Sequence, residues 1–164
     1  GCFPILSAQH PEMMALAFRG ASTHSLDEKS RLIVPKRFLD RLPAVESNFV
    51  LTASPDGCLL LLDQRSFEEI ADQIGGDPLD RNKENRGLRR LFLGHAEDVR
   101  PDKAGRILIP EVLRSFMDLG DAREVVVVGT GNAIEVWAPG RWRQALEGVD
   151  LSSLSEPKVE SAAD

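Results

Sequence analysis

Nine residues constrain this chain more than anything else in it. Asp27-Glu28-Lys29-Ser30-Arg31-Leu32-Ile33-Val34-Pro35 returns as Asp102-Lys103-Ala104-Gly105-Arg106-Ile107-Leu108-Ile109-Pro110, at an offset of 75. Both copies read Asp-x-x-[Ser/Gly]-Arg, three branched apolar residues and a proline, which is a polar turn feeding a short buried strand. At the same offset Cys58-Leu59-Leu60-Leu61-Leu62 falls on Ala133-Ile134-Glu135-Val136-Trp137, and Phe67 falls on Trp142. The chain is therefore built from two like halves.

Local patterning fills in each half. In the first, a strand over Ala15 to His24 precedes the turn, Leu32-Ile33-Val34 is a second strand, and Pro35 stops it. A short helix over Lys36 to Leu42 follows, with Phe38, Leu39 and Leu42 on one side. Phe49 to Ala53 and Cys58 to Leu62 flank Ser54-Pro55-Asp56-Gly57, a hairpin turn. Phe67, Ile70, Ala71 and Ile74 then mark an amphipathic helix ended by Gly75-Gly76. Asp77 as N-cap and Pro78 at the first helical position open a linker helix that runs to about Leu93.

The second half repeats the plan. It has strands over His95 to Arg100 and Ile107 to Ile109, a short helix over Glu111 to Met117, a hairpin of Val125–Val128 and Ile134–Trp137, and a helix from Pro139 to Leu146. Phe18-Arg19-Gly20 matches Phe92-Leu93-Gly94 at an offset of 74, which implies one extra residue before Asp102, absorbed by a strand bulge.

Leu59 to Leu62 and Val125 to Val128 do not alternate with polar residues, so these strands need cover on both faces. Halves of about 55 residues would be marginal alone. They are expected to interlock, with strands of one packing among or pairing with strands of the other in one pseudo-twofold unit. The fold class is α+β with a mainly β core.

The Asp-x-x-x-Arg turns carry the chemistry. An aspartate opening a tight turn accepts bonds from backbone N–H groups just ahead, and the arginine four residues on then projects from the first strand residue. Arginine holds phosphate bidentately and reads O6 and N7 of guanine, and Lys29 and Lys103 would add point charges toward phosphate. From the residues alone two readings stand: Arg31 and Arg106 contact nucleic acid, or Asp27–Arg31 and Asp102–Arg106 are merely ion pairs within a turn. A net charge of −6 requires any DNA contact to come from local basic loops on an acidic background.

The residues that carry a resemblance are Phe18-Arg19-Gly20, both Asp turns with their apolar triplets and prolines, Leu91-Phe92-Leu93-Gly94-His95-Ala96, and Glu135-Val136-Trp137. Over Phe18 to Leu146 the chain resembles MraZ, a family of bacterial transcriptional regulators of the division and cell-wall gene cluster built from two AbrB-like halves. The resemblance implies a swapped-hairpin, double-psi barrel-like pseudo-dimer and a ring-shaped homo-oligomer. It also implies binding to repeated promoter elements in double-stranded DNA through Arg31, Lys29, Arg106 and Lys103, with Arg31 the stronger candidate. Asp27, Ser30, Asp102 and Gly105 would shape the loops.

Ser30 departs from the glycine usual there. If the position needs a positive φ, serine costs on the order of 1 kcal/mol, and the first loop would sit somewhat differently from the second.

Domain limits follow. Residues 1–14 are a disordered extension, 21–68 and 96–139 the two AbrB-like repeats, 77–94 the linker helix, 140–147 a C-terminal helix and 148–164 a disordered tail. Gly1 stands where a Met would start the chain, so the first dozen residues read as a cloning remnant or upstream extension, with a natural start at Met13 or Met14. Loops repeated about one helical turn apart, roughly 34 Å, around an oligomer suit tandem direct repeats.

Other classes are set aside. No apolar run approaches the roughly 18–20 residues that span a bilayer, and no secretory signal is present, so the location expected is the cytoplasm, at the nucleoid. His10, His24 and His95 lack ligand spacing with Cys2 or Cys58, and no metal or other cofactor is implied. Cys58 reads as a small core residue outside any disulfide. There is no phosphate loop, nucleophile elbow or small-molecule site, so the chain is not read as an enzyme. In the linker, Arg81, Lys83, Arg86, Arg89 and Arg90 read as a solvated face that pairs with carboxylates between subunits rather than as a DNA contact, and Leu88, Leu91 and Phe92 as packing residues. The rival to DNA binding is a ring-forming structural or protein-interaction module.

Overall fold

The uninterrupted runs Leu59 to Leu62 and Val125 to Val128 cannot leave either face of a strand in water, and in the computed structural model, which describes residues 18–41 and 48–152, both faces of each are covered. The elements are β1 (Phe18–Ser25), β2 (Arg31–Ile33), α1 (Lys36–Leu39), β3 (Phe49–Ala53), β4 (Leu59–Asp63), α2 (Gln64–Ile74) and α3 (Lys83–Phe92). The second half adds β5 (Glu97–Val99), β6 (Arg106–Leu108), α4 (Glu111–Phe116), β7 (Glu124–Gly131), β8 (Ile134–Trp137) and α5 (Pro139–Glu147). The fold is α+β with mainly antiparallel sheet.

Six strands form one sheet in the order β1-β7-β8-β4-β3-β5, and β2 pairs with β6 in a separate ribbon. Reading the sheet from either edge gives the same order with the halves exchanged. β4 and β8 meet at its centre, with Leu59 opposite Val136 and Leu61 opposite Ile134. At the edges the halves trade strands: β1 pairs with β7 from Phe18–Gly131 to Ser25–Glu124, and β5 pairs with β3.

One sheet face carries Phe49, Leu51, Leu59, Leu61, Val125, Val127, Ile134 and Val136, which pack against the ribbon and its following helices through Leu32, Ile107, Phe38, Leu113 and Met117. Phe38 is fully buried, edge-on to Phe18 at 5.7 Å, and cutting such a side chain to alanine typically costs about 3–5 kcal/mol. On the other face α2 and α3 cover Leu62 and Ala133, with Phe67 stacked on Phe92 at 5.2 Å. Trp142 of α5 covers Val126, Val128 and Trp137 there. Arg141 fastens α5 across the halves, donating from Nη1 to Gly57 O at 3.0 Å and Phe116 O at 2.9 Å. Cys58 lies buried in this layer, its thiol pushed up to about 12, mainly by desolvation.

Pairing corrects the reading of an inserted residue before Asp102. Val99 faces Phe49 and His24 faces Val125, and Phe49 and Val125 both enter the main core. β1 and β5 thus correspond at an offset of 75, like the turns that follow them, and no bulge is required. The likeness at 74 has no structural counterpart, since Phe18 opens a strand and Phe92 ends a helix. The irregularity lies in the hairpins: residues 54–58 separate the paired Ala53 and Leu59, whereas residues 130–133 separate the paired Gly129 and Ile134.

The linker helix begins at Lys83, not near Asp77. Three short polar side chains compete for the amides ahead of them. Asp77 accepts from Leu79 N at 2.9 Å and Asp80 from Asn82 N at 2.8 Å, closing turns, and only Asn82, accepting from Glu84 N and Asn85 N, caps the helix. Arg86 and Arg89 tie this turn segment back, each donating to a carbonyl, of Asp80 and Asp77, at 2.7 Å. They are fastenings within the chain rather than a solvated face.

Smaller differences are all at ends. β2 and β6 start one residue earlier than expected, at the arginines, α1 ends at Leu39, and His95 lies in a turn before β5. The expected extension over 1–14, position 42 of the first short helix and most of the expected tail lie outside the described residues, and Leu151 and Ser152 form a last short turn.

Candidate nucleic-acid interface

Both Asp turns close through the same set of bonds. Asp27 Oδ1 accepts from Lys29 N and Arg31 N, each at 2.9 Å, and Oδ2 accepts from Arg31 Nε at 2.7 Å. Asp102 Oδ1 accepts from Ala104 N and Arg106 N at 2.9 Å, and Oδ2 from Arg106 Nε at 2.8 Å. The backbone closes in step, with Asp27 N donating to Arg31 O and Asp102 N to Arg106 O, both at 3.0 Å. Each aspartate therefore shapes its turn and also holds the guanidinium, so the ion-pair reading of the two turns is correct as geometry. It does not exhaust the arginines: among the described residues their terminal Nη groups hydrogen-bond to no protein atom, and the side chains are 29% and 36% exposed.

Ser30 takes φ +61° and Gly105 φ +82°, so the serine adopts the left-handed conformation and the first loop matches the second. The conformation is demanded by the interlock. Ser30 O accepts from Ile109 N at 3.0 Å and Gly105 O from Val34 N at 2.8 Å, so each loop's fourth residue holds the other half's strand. Relieving the strain in Ser30→Gly, less the greater chain entropy glycine loses, is expected to stabilise the fold slightly, by up to about 0.5 kcal/mol. Urea melts of the two proteins measure this; a lower midpoint for the variant at unchanged slope would contradict it.

Both aspartates titrate below the ordinary carboxylate range, Asp27 chiefly through the Arg31 N–H and Asp102 chiefly through the Arg106 N–H. The guanidinium and the second turn amide add to this, against some desolvation. A carboxylate with a lowered folded pKa stabilises the fold fully above its ordinary value and loses that contribution as pH falls through the lowered one. The amide signals of Lys29, Arg31, Ala104 and Arg106 should therefore hold their positions down to about pH 4, near the free aspartate value, and shift only in stronger acid. An NMR titration with transitions at or above that value would contradict the geometry.

The ribbon brings all eight residues singled out from the sequence to one layer. Arg31 pairs with Leu108, Leu32 with Ile107 and Ile33 with Arg106. Lys29 and Lys103 are exposed at the turns. The sequence reading of uniformly buried strands misses one feature: Leu32, Val34, Ile107 and Ile109 are buried, but Ile33 is 54% and Leu108 55% exposed. The period-two alternation of a strand was the available signal. Segments 27–41 and 102–116, which make this layer, hold eight Lys/Arg against five Asp/Glu, a net +3 on a chain of −6.

Residues 81–90 hold five Lys/Arg against one Glu, so this layer is not the sole basic stretch among the described residues. No group of three or more His, Cys, Asp and Glu there could hold a metal, and no helix is long and apolar enough to cross a membrane. His95 Nδ1 lies 2.8 Å from Leu91 O, a bond at the end of α3.

A protein-family model described as MraZ protein, antitoxin-like, matches the chain twice, over residues 17–90 and 92–162. Among curated proteins, the transcriptional regulator MraZ of Roseiflexus sp. (strain RS-1) is 37% identical over 136 residues, 83% of this chain and 91% of that protein. The protein of the same name from Methylobacillus flagellatus is 42% identical over 134 residues, 80% of this chain and 88% of its own. That from Methylococcus capsulatus is 38% identical over 151 residues, 89% of this chain and 97% of its own.

Proposed function

The chain belongs to the MraZ family, and on that premise we propose that it is a sequence-specific DNA-binding regulator of transcription and not an enzyme. The observation that carries the reading is the repeated guanidinium, fixed by its aspartate at Nε and open at Nη, on a basic layer of an acidic molecule. Arg31 and Arg106 take guanine edges or phosphate, Lys29 and Lys103 take phosphate, and Asp27, Ser30, Asp102 and Gly105 set the loops.

The finer reading is a ring-shaped homo-oligomer whose successive Asp-x-x-x-Arg loops engage direct repeats upstream of the division and cell-wall genes, including its own, at the nucleoid in the cytoplasm. Two arginines and two lysines per subunit release few counterions and hold DNA weakly. Several subunits on one duplex turn later engagements into intramolecular ones, worth about 10²–10⁴ in affinity. Within each subunit the strand exchange and the crossing ribbon support closure as a swapped-hairpin, double-psi barrel.

A shift assay with the DNA upstream of the protein's own gene, carrying one repeat or several, tests this. Affinity should rise steeply with repeat number and fall steeply with salt; equal affinity per probe would sink the tandem reading. The exposed Ile33 and Leu108 favour one rival, a ring module that binds protein on this layer. Salt-insensitive or absent DNA binding by an intact assembly would favour it.

A further inference from the structure

We propose that Ile33 and Leu108 read thymine, packing on its 5-methyl group beside the bases or phosphates taken by Arg106 and Arg31; the inference rests on the DNA-binding reading above. The bonds Val34 N to Gly105 O and Ile109 N to Ser30 O bracket the ribbon and set its alternation. Leu32 opposite Ile107 is then the hydrogen-bonded pair facing the core, while Arg31–Leu108 and Ile33–Arg106 are the close, non-hydrogen-bonded pairs facing out. In such pairs the Cβ atoms stand about 4.5–5.5 Å apart. Each arginine thus has one aliphatic side chain at its shoulder, and the outward face is a checkerboard of two cations and two apolar groups.

That pattern fits a base-pair edge better than an apolar protein groove. Two aliphatic side chains more than half exposed need a partner to be of use, and each is opposed by a permanent cation whose burial in an apolar groove would be costly. The major groove, about 12 Å wide, admits a two-stranded ribbon, and along its floor the thymine methyl is the apolar group while guanine offers two acceptors to arginine. One cross-strand pair, at about 4.5–5.5 Å, reaches across one to two base steps of about 3.4 Å. Ile33 is β-branched and stiff at χ1, so little freedom is lost when it meets a methyl.

The test uses the full chain and its own upstream DNA, with thymines in each repeat replaced one at a time by deoxyuridine, which lacks only the methyl. Burying one methyl corresponds to roughly a 4-fold change in affinity, so the unaltered protein should bind at least one deoxyuridine probe about 3- to 5-fold more weakly. Ile33→Ala and Leu108→Ala should each abolish the discrimination at one position and leave it at the other. Both side chains are exposed, so melting and assembly should not change. DNA binding without discrimination, or discrimination that survives both substitutions, overturns the inference and leaves the DNA-binding reading standing. Loss of assembly in the variants with thymine discrimination intact makes the face a contact between copies, and overturns it as well. Failure of the unaltered protein to bind this DNA overturns both readings.

Discussion

Arg31→Ala is expected to abolish practical binding to repeated operator DNA while leaving the assembly intact and lowering its melting point only slightly, by the loss of one partly exposed ion pair. One bidentate arginine contact is worth about 1–3 kcal/mol. In a homo-oligomer the substitution removes it at every engaged loop, so two engaged subunits lose roughly 2–6 kcal/mol, from about 30-fold to more than 10⁴-fold. The loss should exceed that of a simple deletion, because Asp27 Oδ2 now accepts from Arg31 Nε at 2.7 Å and would be left facing phosphate without its cation. Arg31→Lys separates charge from fork: it should keep most of the salt dependence and lose most of the sequence discrimination. Anisotropy titrations at two salt concentrations, with sedimentation to verify assembly, measure both. Unchanged affinity in Arg31→Ala would mean that the guanidinium serves the turn alone.

Separating the halves should have a still larger effect on the fold itself. A fragment of residues 18–76 keeps the β3–β4 hairpin but loses β7, the only sheet partner of β1 in the described residues, and β6, the partner of β2. The ribbon and the core beneath it then have no second side, and most of the roughly 5–15 kcal/mol typical of a domain goes with them. The fragment should be unfolded, or folded only as a dimer in which a second copy supplies the missing strands. Mixing it with residues 77–152 should restore a cooperative melt. Circular dichroism with sedimentation decides the matter, and a folded monomer of either fragment would contradict the strand exchange.

The sequence disclosed features that are encoded locally. The Asp turns, the Pro-Asp-Gly hairpin and the helix marked by Phe67, Ile70, Ala71 and Ile74 each depend on a few nearby side chains. The need for cover on both faces of Leu59 to Leu62 was legible for a similar reason, since no polar residue interrupts the run. Features that depend on competition between neighbours were not. Asp77, Pro78, Asp80 and Asn82 all offer helix-start chemistry, and only tertiary fastening by Arg86 and Arg89 selects the last.

Three branched residues in a row do not say which one points to solvent. Ile33 and Leu108 therefore read as core until the register of the ribbon placed them outside. The Phe-x-Gly likeness misled because short motifs recur by chance across unlike structure, whereas pairing partners cannot. Nor does the rule that a non-glycine residue avoids positive φ hold at Ser30, where one interstrand bond, from Ile109 N, and one turn bond, to Asp27 O, outweigh a local cost of about 1 kcal/mol.

The pairing of Phe18–Ser25 with Glu124–Gly131 has a consequence for biosynthesis. The first strand leaves the ribosome about a hundred residues before its neighbour exists, a wait on the order of 5–20 s at usual translation speeds. A nascent segment idle for that long is exposed to every other chain nearby, and an adhesive one would be lost to them. This one has a single large apolar side chain, Phe18, with Arg19, three hydroxyl residues and a glycine at φ +98°. The stickier Val125-Val126-Val127-Val128 comes late, when all but the last strand has already been made to receive it.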